Sequence, residues 1–208
     1  MGLKGTGRAR AALIWVALLF AVAVPIIAAA KSPLLAWREP VYIAAGFAGI
    51  VAMALILIQP LLIGGTLPGL PAYRGRRVHR WTGSFLVAAV ILHVAGLWVT
   101  SPPDVMDALQ FVSPTPFSAW GVIAMWAVFS AALLAALRHR LRLRPRVWRL
   151  AHVTLALATV IGSVVHAMLI EGTMETVSKA LLCGLVVVAA VNVLIDLRGG
   201  SRRPRRRT

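Results

Sequence analysis

Four of the five histidines form two pairs, His79 with His93 and His152 with His166, and both pairs are spaced by 14 residues. On an α-helix, at about 100° per residue, fourteen steps fall about 40° short of four full turns, so the members of a pair share one helix face. They stand about 21 Å apart along the axis. An imidazole can ligate a metal, relay a proton near neutral pH or serve as a polar packing contact, and its partner decides which. Other groups with such chemistry are scarce: 6 Asp and Glu and 1 Cys among 208 residues.

The elements that must position these histidines follow from composition. The chain is 60% hydrophobic yet has a net charge of +16, and a soluble domain of this size could not bury so much apolar sequence in one core. Six nearly uncharged stretches, about 11–30, 41–63, 81–100, 117–137, 150–170 and 176–197, approach the ~20 residues that cross a bilayer as a helix. The short alternating segments of a membrane barrel are missing. The expected fold is therefore all-α, a single membrane domain over 1–208 containing a bundle of six transmembrane helices. Turn chemistry marks the breaks: Lys31-Ser32-Pro33, the run from Gly64 to Pro71, Ser101-Pro102-Pro103, Ser113 to Pro116, and Gly199-Gly200. Pro25 and Pro60, inside or near span ends, are expected to kink them.

Orientation follows from the basic residues, which stay on the cytoplasmic side of a plasma membrane. Assigning the breaks alternately places nineteen of the 22 Lys and Arg on one side, and leaves Lys31, Arg38 and Lys179 on the other with Glu39, Asp104, Asp107, Glu171 and Glu175. Both termini are expected in the cytoplasm of a bacterium, with the chain multi-pass in its inner membrane. Lys4, Arg8 and Arg10 before an apolar run ending Ala28-Ala29-Ala30 also resemble a signal peptide, but that run is longer than a usual signal core and reads as a retained span. The Arg-rich loops and the basic tail over 198–208, expected to be disordered, are what an oriented membrane protein needs, and they attract anionic lipid; no nucleic-acid partner is implied.

Under this assignment the third and fifth spans are parallel. His79 is then level with His152 near the cytoplasmic surface, and His93 with His166 near the outer one. Two imidazoles facing each other are how a b-type haem iron receives both axial ligands, and two levels imply two haems. Zinc would want three or four ligands at one depth, and neither level offers a third. Gly83 and Ala156, one turn after the inner histidines, and Ala89 and Gly162, one turn before the outer ones, would keep the facing surfaces low. Arg76 and Arg149, each three residues before an inner histidine, are candidates to pair with haem propionates. His139, between Arg138 and Arg140, reads as a solvated loop residue, and Cys183 as packing within the sixth span.

The segment from Arg76 to Gly83, followed by His93, and the segment from Trp148 to His152, followed by His166, resemble the ferric-reductase-like transmembrane domain. That family includes the membrane parts of ferric reductases and NADPH oxidases and a small bacterial haem subunit serving a periplasmic methionine sulfoxide reductase. The resemblance covers about residues 41–197. It implies His79 with His152 and His93 with His166 as axial ligands of an inner and an outer haem b. Eukaryotic relatives continue into flavin- and nicotinamide-binding domains. Only eleven residues follow Leu197 here, and Gly2 to Gly7 is no dinucleotide loop because it follows no strand.

The expected function is thus transmembrane electron transfer through two haems. Electrons would come from a separate flavin reductase or a membrane quinol and pass to an acceptor protein or ferric iron at the outer face. The chain would be the haem-containing subunit of an oxidoreductase, with no catalytic residue of its own and no flavin or quinone site visible in its sequence. A quinol-linked cytochrome b subunit is the nearest alternative. A proton or cation transporter using histidine relays is a third, disfavoured because Asp196, at a span end, is the only carboxylate near the bilayer interior.

Overall fold

The computed structural model describes residues 3–200, which fold as helices joined by short connections, with no strand among them. Six helices are long and apolar enough to cross a membrane: α1 (Leu3–Ala30), α2 (Pro40–Ile63), α3 (Ala72–Thr100), α5 (Pro116–Ala136), α7 (Pro145–Leu169) and α8 (Thr176–Gly200). Two short helices complete the path, α4 (Pro102–Leu109) and the single turn α6 (Arg138–Leu141), and a 3₁₀ turn covers Pro33–Leu35.

Proline and glycine punctuate the chain as their chemistry dictates. α2, α4, α5 and α7 each begin on a proline, which has no N–H to leave unpaired at a first turn. Gly65 and Gly69 take positive φ in the connection to α3. Pro25 and Pro60 lie inside α1 and α2.

Several boundaries differ from expectation, each for a physical reason. α3 begins at Ala72 rather than near 81, and α7 at Pro145 rather than 150. Their arginine-rich first turns are polar but contain no helix breaker, so the helices extend beyond the apolar stretch. At 29 residues, α3 is about 43 Å long, more than a ~30 Å hydrocarbon layer requires. Gly199 and Gly200 do not stop α8, and of the basic tail, residues 201–208 lie outside the described residues. Lys179 stands in the first turn of α8; it is buried, and its Nζ donates to the carbonyl of Ile170 at the end of α7, 2.6 Å away. Glu175 caps the same helix, its two carboxylate oxygens accepting the N–H groups of Val177 and Ser178 at 2.7 Å each.

The principal packing units are two antiparallel hairpins, α2 with α3 and α5 with α7. α8 packs against both α2 and α7, and α1 lies against α8 and α2. The core gathers Met53, Ile56 and Leu57 of α2, Leu86 and Ala89 of α3, Val128 of α5, and Leu182, Cys183 and Val186 of α8. α3 and α7 scarcely touch along their backbones, so what passes between them is side chains.

Candidate functional site

Small residues set the distance at which each hairpin closes. A Cβ on Gly75 would meet the Leu62 carbonyl oxygen at 2.7 Å, and one on Gly96 would meet the Ala45 Cβ at 2.7 Å. α3 therefore lies against α2 near both ends. In the second hairpin a Cβ on Gly162 would stand 2.9 Å from the Trp120 carbonyl oxygen. Among membrane helices such close approach is a main source of association, because lipid gives apolar surface little reason to hide. It also brings backbone carbonyls within reach of a side chain on the neighbouring helix.

Both outer histidines use that reach. His93 Nδ1 lies 2.8 Å from the Ala45 carbonyl oxygen, and His166 Nδ1 lies 2.8 Å from that of Phe117. A carbonyl only accepts, so each ring is the Nδ1–H donor and keeps the Nε2 lone pair free. The two rings face one another with centroids 6.4 Å apart and planes at 81°. The Phe117 ring stands edge-on to His166 at 5.8 Å.

The inner pair, at the arginine-rich end, is built differently. His79 and His152 have centroids 6.3 Å apart and planes at 73°. Trp148, one turn before His152, stacks on it at 5.3 Å with planes 8° apart, and the Arg138 guanidinium lies 4.5 Å from the Trp148 ring centre. Gln59 Nε2 donates to Thr82 Oγ1 at 3.1 Å beside His79. Four polar atoms here are buried without a hydrogen-bond partner: Gln59 Oε1, Trp148 Nε1 and the Nδ1 atoms of His79 and His152.

The four histidines therefore meet as the spacing requires, His79 with His152 and His93 with His166, which demands that α3 and α7 run in the same direction. Two imidazoles bound on opposite sides of one metal, at about 2.0–2.1 Å per bond with each ring centre about 1.1 Å behind its nitrogen, would have centroids about 6.3 Å apart. Both pairs match that separation. Among the described residues no group of three or more His, Cys, Asp and Glu gathers to hold a metal, and each level brings two imidazoles together.

Other expected site residues fall elsewhere. Arg76 and Arg149 are exposed on the first turns of α3 and α7, and the guanidinium reaching toward an inner histidine is that of Arg138, through Trp148. Gly162 does not keep the surface facing α3 low: it is occupied by its contact with α5. Ala89 is in the core, Gly83 faces Gln59 and Ala156 is exposed. His139 is exposed, on α6 rather than in a loop, and Cys183 is buried in the core.

Sequence reasoning missed the carbonyl-bearing Ala45 and Phe117, the glycines that follow each by four residues, Gly49 and Gly121, and the inner group of Gln59, Thr82, Trp148 and Arg138. One signal was available. Gly49 precedes Gly121 by 72 residues, while His79 precedes His152 and His93 precedes His166 by 73, so the two hairpins repeat one arrangement with a single-residue slip.

Residues 45–163 match the family model described as the ferric reductase like transmembrane component. No curated protein and no solved structure shows a significant match.

Proposed function

The chain belongs to the ferric reductase-like transmembrane family, whose domain points to electron transfer within a membrane, and we propose that it carries electrons across a bacterial inner membrane through two b-type haems. His79 and His152 would hold one and His93 and His166 the other. The observation that carries this reading is the ring separation, 6.3 and 6.4 Å, repeated at two levels on the same two helices. A haem held by each histidine pair would supply one-electron outer-sphere transfer, with no position left for oxygen.

The chain's own residues supply the rest. The α2–α3 and α5–α7 hairpins fix the two faces that present the imidazoles, and α8 wedges between α2 and α7. The apolar lengths of α3 and α7 exclude water from the path between levels. Arg74, Arg76, Arg77, Arg138 and Arg149 ring the inner end, where they favour anionic groups such as propionates or an added electron. That end faces the cytoplasm by the distribution of positive charge. A separate flavin reductase or a membrane quinol is the donor, and an acceptor protein or ferric iron takes the electron at the outer face.

The test is the spectrum of the full chain, purified after expression with haem supplied. Two b-type haems per chain are expected, with the sharp reduced α band of six-coordinate iron. A chain binding none, or only five-coordinate haem, would overturn the reading.

A further inference from the structure

The outer imidazoles are held by more than their places on α3 and α7. In a helix the carbonyl of residue i already accepts the N–H of residue i+4, and the Cβ of i+4 leans back over that carbonyl. A donor from a neighbouring helix reaches the second lone pair only where that Cβ leaves room. Four residues after Ala45 stands Gly49, and four after Phe117 stands Gly121. A Cβ on Gly49 would lie 3.0 Å from His93 Nδ1, and one on Gly121 would lie 2.7 Å from His166 Nδ1 and Cε1.

The inner level supplies the contrast. The backbones of Gln59 and Ala131 approach His79 and His152 but come within hydrogen-bond distance of neither Nδ1, and each stands 14 residues beyond its outer counterpart. Four residues on from these stand Ile63 and Ala135, not glycines. Both inner Nδ1 atoms are buried without a hydrogen bond.

We propose that Gly49 and Gly121 are positioning residues for the outer pair: each clears a helix carbonyl so that His93 and His166 are fixed as Nδ1–H donors, with Nε2 turned toward the metal, while the inner pair is left without this bond. The proposal rests on the two-haem reading above. A hydrogen bond from Nδ1–H raises the basicity of an imidazole ligand, and this favours the oxidised metal at the outer level. A methyl group at position 121 would force the His166 ring back by about 0.8 Å to reach an ordinary contact of about 3.5 Å. Its 2.8 Å bond would then stretch to about 3.6 Å, where no hydrogen bond remains.

The experiment compares haem-loaded full chains carrying Gly49→Ala, Gly121→Ala or Gly46→Ala with the unaltered protein. Gly46 lies on the same helix as Gly49, and a Cβ there meets nothing within 4 Å. Potentiometric titration of the reduced α band gives the midpoint of each haem, and His93→Leu, which keeps only the inner ligand pair, identifies the inner component. Electron paramagnetic resonance of the ferric protein reports the angle between the two imidazole planes. In Gly49→Ala and Gly121→Ala the outer midpoint should rise by a tenfold change in oxidised-to-reduced ratio, about 59 mV for one electron, or the outer haem should be lost. The outer low-spin signal should change shape, the inner component should stay, and Gly46→Ala should match the unaltered protein. If Gly49→Ala and Gly121→Ala titrate and resonate as the unaltered protein does, or if all three variants shift both haems alike, the positioning role is wrong. An unaltered protein that binds no haem overturns the two-haem reading instead, before any variant is compared.

Discussion

Replacing His93 with leucine tests the pairing by level most directly. Leucine suits the lipid-spanning segment and removes one hydrogen bond, the 2.8 Å contact to the Ala45 carbonyl. That carbonyl keeps its bond within α2, so no buried acceptor is orphaned, and the cost to folding is about 1 kcal/mol. The inner pair is 14 residues away, about 21 Å along the helix axis, and none of its contacts involves His93. Haem per chain should therefore fall from two to one, or the outer haem should become five-coordinate through His166 alone. The inner haem should keep its spectrum and remain reducible from the arginine-rich side, while transfer to an outer acceptor stops. His166→Leu should behave alike, and the double variant should lose the outer haem outright but leave the inner one untouched, because both ligands serve one site. His152→Leu or His79→Leu should remove the inner haem and spare the outer. Haem extraction with reduced-minus-oxidised spectra of each variant decides it. If His93→Leu and His152→Leu lose the same haem, the assignment of the 6.3 and 6.4 Å pairs to separate sites is refuted.

Trp148→Leu removes the ring between Arg138 and His152, contacts worth about 1–2 kcal/mol together; the inner midpoint should fall as the guanidinium withdraws, Trp148→Phe should restore most of it, and an unchanged midpoint would remove Arg138 from the site. Cysteines introduced at 104–113 or 171–175 should react with impermeant reagents from outside, and those at 74–77 or 140–146 only after the membrane is breached; the native thiol, Cys183, is buried, and the opposite pattern would reverse the proposed direction of transfer. The backbone N–H groups of Ser178 and Val177 hold the Glu175 carboxyl below its ordinary value. A lowered carboxyl stabilises the folded state above its unfolded pKa, and that contribution disappears as pH falls through the folded one. Glu175→Gln should therefore lower the melting temperature at neutral pH and flatten its fall through the acid range, and equal acid sensitivity in both proteins would deny the cap a role.

The bundle was legible because a membrane leaves the backbone few options. Six apolar stretches with proline and glycine between them gave the six long helices in order. Boundaries failed at the basic ends of α3 and α7, where hydropathy drops but helix propensity does not: Arg74, Arg76 and Arg77 extend a helix as readily as they end a hydrophobic window. α4 was invisible for a related reason, since its eight residues begin with two prolines and are too few to show a period.

The histidine pairs were legible because a 14-residue spacing on one helix fixes a face and a depth, and a matching spacing on a parallel helix fixes the partner. The carbonyls of Ala45 and Phe117 were not, because an acceptor on the backbone has no residue type to announce it. Gly49 and Gly121 looked like any small residues in a membrane helix. Their meaning depends on which ring crosses them, and that crossing is set by the closeness that Gly96 gives the first hairpin and Gly162 the second.

With both haems of the proposed function bound, two features of the chain act on their potentials in one sense. The guanidinium groups at the inner end stabilise the extra electron of a reduced centre. The carbonyls of Ala45 and Phe117, accepting from the outer imidazoles, make those ligands stronger donors and stabilise the oxidised centre there. On that reading the inner level would be the easier to reduce and the outer the harder, so an electron supplied at the arginine-rich end would rest at the inner level until an acceptor drew it through. Outward flow would then be set by how strongly the acceptor oxidises and how close it docks. A chain so arranged would stay charged with an electron when its acceptor is absent, instead of releasing it to whatever reaches the other face.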